Sequence, residues 1–281
     1  MEEQVATKKL VYVYCVTNKT QAEVSFPSDE RVGFGAPRLI TFEDIAAVAS
    51  DVPGREFSQD SINRKLSDPR WLADSAQRHE LAIEHLMNYD SSSSGSTPVP
   101  MKLCTIFKND ARVVEMLSEN YAKFKLALKK VDGRVEVGVT AFADYAKESA
   151  MKILSGNARI DRLQRRIFSS TPGRSYFLKG ELDLAVSQEF GRRIGESAGK
   201  VMSELSKVAD SAVANQPLAS PNAENSDGSA GSVKMVLNYA FLVRKSRFNS
   251  FSSTFERTQK RVAKQGIMLK LSGPWPPYNF V

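Results

Sequence analysis

The chain has 281 residues, 42% hydrophobic and 25% charged, a balance that excludes disordered, fibrous and membrane-spanning classes and leaves room for two globular domains. Its formal charge of +7 is unevenly placed: residues 233–281 carry nine Lys or Arg against the single acid Glu256, so a basic element ends a nearly neutral body. The opening MEEQVATKK has no apolar core ahead of a cleavage site, so no secretory leader is expected and the cytoplasm is the default compartment. Cys15 and Cys104 lie in apolar runs, where a thiol behaves as a small core residue rather than a redox centre.

Residues 10–17 (LVYVYCVT) are β-branched and aromatic over the length of a buried strand. The polar stretch 18–37 reads as a loop; its GFGAP at Gly33 has no third glycine opening a helix, so turn chemistry is expected there and not a phosphate cradle. Residues 38–50 are strand material broken near Glu43 and Asp44. Two helices follow, over about 59–66 and 68–89, the second with Asp68 as N-cap and Pro69 in the first turn. Leu72, Ala76, His79, Ile83 and Leu86 recur at helical spacing, so they are expected to face a core. His79 and His85, the two histidines, are six residues apart, about 240° around a helix, which rules out a local metal pair; His79 is expected to be a hydrogen-bonded core histidine.

After the linker-like DSSSSGSTP at 90–98, residues 99–107 (VPMKLCTIF) read as a strand, and Asn109 caps one helix running to about Lys130. From Gly133 the pattern restarts: RVEVGVTAF alternates as a strand, a helical extension spans about 143–168 with arginines at its end, and TPGRSYF opens a long helix to about Val208. A weak strand near 212–218, the polar SPNAENSDGSAGS, the strong strand 233–243, an amphipathic helix over 247–265 stopped by Gly266, and a strand at 267–271 complete the order. The expected fold is α+β in two domains: an N-terminal α+β domain over 1–131, and a modified ferredoxin-like (βαββαβ) domain over 132–271 with a helical insertion. The final 272–281 form a proline and aromatic tail. Pro274, Pro276 and Pro277 exclude a helix or central strand, and Trp275, Tyr278 and Phe280 are costly to leave in water, so the tail is expected to lie as a strap across the domains. The other reading of the tail is a docking peptide for a partner that reads polyproline geometry.

No nucleophile elbow, phosphate loop or Cys-His cluster is present in the sequence, so no enzyme, cofactor or metal is expected. SGPWPPYNFV at 272–281, SDPRWLADSAQRHE at 67–80, VPMKLCTIF at 99–107, GRVEVGVTAF at 133–142, PGRSYFL at 172–178 and NYAFLV at 238–243 stand in the order of the signature blocks of the gas vesicle protein F and L family, which this chain resembles. Lys102 stands where family members often carry Arg. The resemblance implies an accessory or minor structural protein of gas vesicles, hollow protein-walled flotation organelles. It would bind the small hydrophobic shell protein or other accessory proteins during assembly, as a monomer, without membrane contact, located with the gas vesicle in the cytoplasm. Candidate contact residues are Pro274, Trp275, Pro276, Pro277, Tyr278 and Phe280 in the tail, and Arg247, Arg257, Arg261 and Lys264 in the basic helix. The alternative is an RNA-binding module using the ferredoxin-like sheet and that helix; VKMVLNYAFLV lacks the glycine of the usual third-strand signature, which places nucleic acid second.

Overall fold

The computed structural model describes residues 9–18, 32–89, 97–217 and 232–281; the loop expectations for 19–31, 90–96 and 218–231 lie outside the described residues. The chain divides into two compact units. One combines the residues up to Glu136 with Arg244–Ser246 and Pro274–Val281; the other combines Val137–Val243 with Arg247–Gly273.

The first unit is built on β1 (Lys9–Asn18), β2 (Arg38–Phe42), β3 (Ile45–Pro53), β4 (Val99–Pro100) and β5 (Ile106–Phe107). The order is β2-β3-β1-β4, with β5 also on β1, and these four pairings are antiparallel. The turn between β2 and β3 falls where Glu43 and Asp44 interrupt the apolar run, Glu43 taking a φ of 51°. A register shift between Val13 and Cys15 changes the parity of β1. As a result Val11, Val13 and Val16 join one core with Ile40, Ile45, Ala47 and Val99, completed by Val113 and Leu117 of α4 (Asp110–Glu119) and Leu128 and Val131 of α5 (Tyr121–Val131). A fully buried aliphatic side chain stabilises by about 1.5–3 kcal/mol, so each large member of this layer contributes on that order.

The opposite parity of β1 presents Tyr12 and Tyr14, which gather Phe34, Phe57 and His79 at ring-centroid distances of 4.7 to 6.4 Å. Phe34 comes from the turn ahead of β2, Phe57 from α1 (Gly54–Phe57) and His79 from α3 (Pro69–Tyr89), with α2 (Gln59–Lys65) between the two helices. Asp68 caps α3 as expected, its carboxylate accepting from the amide of Arg70 at 2.9 Å. The buried stripe of α3 differs from the expected one: Ser75, His79, Ala82, Ile83, Leu86 and Met87 are buried, whereas Leu72 is 37% exposed and Ala76 is exposed. The first turns of α3 therefore project past the core, and only its later turns face it. GFGAP is a turn. Gly33 has a φ of 78°, and a Cβ there would stand 2.7 Å from the Tyr14 hydroxyl, so glycine is required on both counts.

Residues 99–107 do not form one strand. Both ends pair with β1, but Cys104 takes a φ of 63° and the segment bulges away between them. The bulge is held by the Tyr12 hydroxyl, which accepts from the Cys104 amide at 2.9 Å. The single helix expected from Asn109 is divided at Asn120, whose amide and side-chain Nδ2 both donate to the Met116 carbonyl, closing α4 before α5 begins. Asn109 itself caps α4 through the Arg112 amide.

The second unit contains β6 (Arg134–Asp144, whose first three residues belong to the first unit), α6 (Lys147–Ile153), α7 (Ala158–Phe168), α8 (Pro172–Ser206), β7 (Ser211–Ala214), β8 (Val233–Arg244), α9 (Phe248–Ala263) and β9 (Ile267–Trp275). Its sheet order is β7-β8-β6-β9. The helical stretch expected over 143–168 begins later and is split, because Gly156 at φ 80° ends one helix and Asn157 caps the next through the amides of Arg159 and Ile160. The core lies between the sheet and one stripe each of α8 and α9: Phe190, Ile194, Val201 and Leu205 from α8, with Phe251, Phe255 and Val262 from α9, the Phe251 ring 5.5 Å from Phe241 of β8. No helix among the described residues is long and apolar enough to cross a membrane.

Candidate functional site

The candidate residues fall into a docked C-terminal segment and a basic helix, and they belong to different units. The segment is not wholly extended. β9, at an edge of its sheet, continues to Trp275, and the edge position tolerates the missing amide of Pro274. After buried Pro276 and Pro277 the backbone closes a 3-10 turn over Tyr278–Phe280, with the Tyr278 amide donating to the Pro276 carbonyl at 2.8 Å and the Phe280 amide to that of Pro277 at 3.1 Å. A turn can form because no proline lies beyond Pro277.

Phe280 is 3% exposed, whereas Trp275 and Tyr278 are 40% and 37% exposed. The three rings are therefore not equivalent: Phe280 is the buried anchor, and Trp275 and Tyr278 remain partly in solvent. Lys130 of α5 donates to the Phe280 carbonyl at 2.7 Å, with its ammonium 5.9 Å from the ring centre. Asn279 takes both oxygens of Glu136, through its amide at 2.8 Å and its Nδ2 at 2.6 Å. The Tyr278 hydroxyl donates to Oε2 of Glu80 on α3 at 2.9 Å.

The electrostatics of this contact run against ionisation. Burial pushes the Glu80 carboxyl up to about 7, against the hydrogen bond from Tyr278 and with help from the neighbouring charges of Glu84 and Glu136. Burial also raises Glu136, despite the two donors on Asn279, and it raises Glu84. The Tyr278 phenol is raised too, by burial first and then by Glu80. In the sequence alone, Glu80, Glu84 and Lys130 have the spacing of a solvated helix face. The one available signal was Glu136 itself, an acid inside the alternating VEV of a strand.

On α9, Arg247 precedes the first turn and is exposed, as are Arg257, Arg261 and Lys264. Arg261 is ion-paired with Glu204 of α8, whose carboxylate also accepts from the Thr258 hydroxyl at 3.0 Å. That arginine and hydroxyl hold Glu204 below the usual carboxylate range, with a smaller contribution from the charge of Arg257. Arg261 is thus partly committed to holding α9 on α8, while Arg247, Arg257 and Lys264 present their charge to solvent. His79 is a buried core group as expected: its Nε2 donates to the Met101 carbonyl at 3.1 Å and its Nδ1 accepts from the Tyr12 hydroxyl at 2.9 Å. Burial pushes it down to about 4, so it is neutral at physiological pH.

Comparison with known proteins gives consistent matches along the chain. Gas vesicle protein L of Streptomyces sp. strain CB03234 is 28% identical over 277 residues, covering 98% of this chain and 94% of that protein. Gas vesicle protein L1 of Halobacterium salinarum is 23% identical, covering 96% and 89%. Among solved structures, gas vesicle protein GvpF from Anabaena sp. PCC7120 superposes with a TM-score of 0.63 at 18% identity, covering 97% of this chain and 95% of that one. GvpF from Microcystis aeruginosa gives 0.63 at 16%, covering 98% and 99%. At those identities the superpositions establish the shared fold. The family model for the gas vesicle synthesis protein GvpL/GvpF matches residues 10–281, and the chain therefore belongs to the GvpL/GvpF family, with a role in gas vesicle formation.

Proposed function

We propose that this chain is a non-enzymatic accessory or minor structural protein of the gas vesicle that binds the shell protein, other accessory proteins, or both during assembly, in the cytoplasm and at the vesicle. The observation that carries this reading is the family match over residues 10–281, which includes both units and the docked C-terminal segment. The second unit is read as a modified ferredoxin-like domain. Its order β6, α6 to α8, β7, β8, α9, β9 with strands arranged β7-β8-β6-β9 supports that reading, α6 and α7 being the inserted helices. Arg247, Arg257 and Lys264 on α9 supply an exposed cationic face for an acidic protein surface, and the segment from Pro274 shapes the first unit.

The test is a pull-down of tagged protein against purified shell and accessory proteins, with the intact chain, a chain ending at Ser272, and an Arg247→Glu/Arg257→Glu/Lys264→Glu variant. Retention by the intact chain and loss in either variant is expected. Absence of any gas vesicle partner, together with salt-sensitive binding to single-stranded RNA, would replace this reading with the nucleic-acid one that the basic final fifth of the chain favours.

A further inference from the structure

The first unit contains a cavity of about 370 Å³ that no residue of the C-terminal segment lines. Its walls come from the start of β1, from α1 and α2, and from the bulge that leads into β5. Leu10 and Tyr12 share one face of β1, and Ile106 stands opposite Tyr12 in the β1–β5 register, so Leu10 and Ile106 lie on the same side of the sheet. Phe57 and Ile62, both buried, complete the apolar walls. These walls are fixed by the chain itself. The Phe57 ring packs edge to face on Phe34 at 5.1 Å and on Tyr12 at 6.1 Å, Lys65 donates to the Glu56 carbonyl at 3.2 Å and so ties α2 to α1, and the Ser58 hydroxyl caps α2 by accepting from the Ser61 amide at 3.3 Å. A preformed apolar hollow of several hundred Å³ with a few polar groups is the usual form of a small-ligand site.

The polar groups define what could enter. Lys108, two residues beyond Ile106, is the sole charged residue lining the cavity, and no acid lines it. Its ammonium is exposed and has no ion-pair partner among the described residues. The Ser58 hydroxyl accepts from Ser61 and keeps its proton to donate. The neighbouring acids do not compete for these donors: Asp110 holds Arg38 with both carboxylate oxygens, at 2.6 and 2.8 Å, and Glu56 and Asp60 are exposed outside the cavity. Cys104 also lines it, as a neutral wall, because burial raises its thiol above the ordinary value. Two non-glycine residues have a positive φ; Glu43 is in a hairpin turn, where that backbone is common, whereas Cys104 is at this cavity, and strained backbone outside turns gathers at ligand sites.

We propose that this cavity binds a medium-chain carboxylate, its tail against Leu10, Phe57, Ile62 and Ile106 and its head group at Lys108 and Ser58. A cationic amphiphile would meet Lys108 with like charge, and a purely apolar ligand would leave both donors without a partner. At roughly 30 Å³ for each non-hydrogen atom, the share of a water molecule in the liquid, the cavity takes about twelve such atoms, the number in decanoate.

Binding is read on the full chain as protection of Cys104 from iodoacetamide, followed by intact mass. Cys15 is 0% exposed, so one adduct reports the cavity and a second reports unfolding. Decanoate is expected to slow labelling at least tenfold at saturation. Octanoate should need roughly fifteen times the concentration, because each of its two missing methylenes is worth about fourfold. Decylamine, with the same tail and the opposite charge, and acetate, the head group alone, should not protect. Lys108→Gln should raise the half-saturating decanoate concentration about tenfold, and Ile106→Trp, which fills the cavity, should remove protection, with circular-dichroism melts verifying that both variants keep the fold. Labelling that decanoate leaves unchanged overturns the site. Equal protection by decanoate and decylamine, or equal half-saturation in the parent and Lys108→Gln, overturns the carboxylate assignment, and undiminished protection in Ile106→Trp overturns the cavity as its seat. The proposed role in vesicle assembly rests on the family match and stands or falls separately.

Discussion

Replacing Glu80 by Gln tests whether the C-terminal segment docks on a protonated carboxyl. The native structure raises this group from 4.5 to about 7, mainly through burial, so the folded state prefers its neutral form. The resulting stabilisation is fully present below the unfolded value of 4.5 and is lost as pH rises through about 7. At about 1.36 kcal/mol per unit the displacement has an upper bound of about 3.4 kcal/mol. Glu80 is only partly buried, so solvent screening brings the expected loss to roughly 1–2 kcal/mol. Gln keeps an acceptor for the Tyr278 hydroxyl and cannot ionise, so Glu80→Gln should remove this part of the pH dependence and leave the protein more stable than its parent at pH 8. The readout is specific because both tryptophans, Trp71 and Trp275, belong to the first unit. Urea unfolding followed by tryptophan fluorescence at half-unit steps from pH 4.5 to 8 therefore reports on that unit. Parallel curves for parent and variant across this window would refute the reasoning, and so would a variant less stable at pH 8.

The other expectations separate residues that the sequence treats alike. Phe280→Ala should cost the first unit about 3–5 kcal/mol, limited by what docking of the segment contributes, whereas Trp275→Ala should cost under about 1.5 kcal/mol because its ring is 40% exposed; equal effects in fluorescence-monitored unfolding would contradict the packing. His79→Ala strands the Tyr12 hydroxyl and the Met101 carbonyl and should cost about 2–4 kcal/mol by the same measurement. With His79 pushed down to about 4, its contribution is held above pH 6.5 and lost as pH falls from there through about 4, so the parent should show an acid-side loss of stability that His79→Phe lacks. Arg261→Ala, which breaks an exposed ion pair with Glu204, should cost no more than about 1 kcal/mol, and a double-mutant cycle with Glu204→Ala should give a coupling of that size.

Much of the architecture was legible wherever the signal is local. The runs at 10–17 and 233–243 are apolar enough to be strands in any context, and they are β1 and β8. Asp68 and Asn109 each had the side chain a helix start requires. The divisions at Asn120 and at Gly156–Asn157 were also written in local residues, but apolar spacing continued across both and hid them. The bulge within 99–107 could not be read in this way, since the unusual backbone of Cys104 depends on a hydroxyl 92 residues earlier. The C-terminal site shows the same division. Prolines and rings announced a segment that packs, but which ring faces inward is decided by Lys130, Glu80 and Glu136, partners 143 to 198 residues away that carry no local signature.

The first unit draws its last eight residues from beyond Gly273, and that has a consequence for how the protein is made. On a ribosome adding about 5–20 residues per second, the chain up to Glu136 is finished well before Pro274 is added, with a gap on the order of ten seconds. Throughout that interval Glu136 lacks Asn279 and Lys130 lacks the Phe280 carbonyl. The nascent unit can collapse around β1 and α5, but it reaches its final form only after the entire second unit has been synthesised. Folding of the earliest residues is thereby timed by the latest ones, and a ribosome that stalls before Pro274 leaves a first unit whose Glu80 and Glu136 lack the donors of Tyr278 and Asn279.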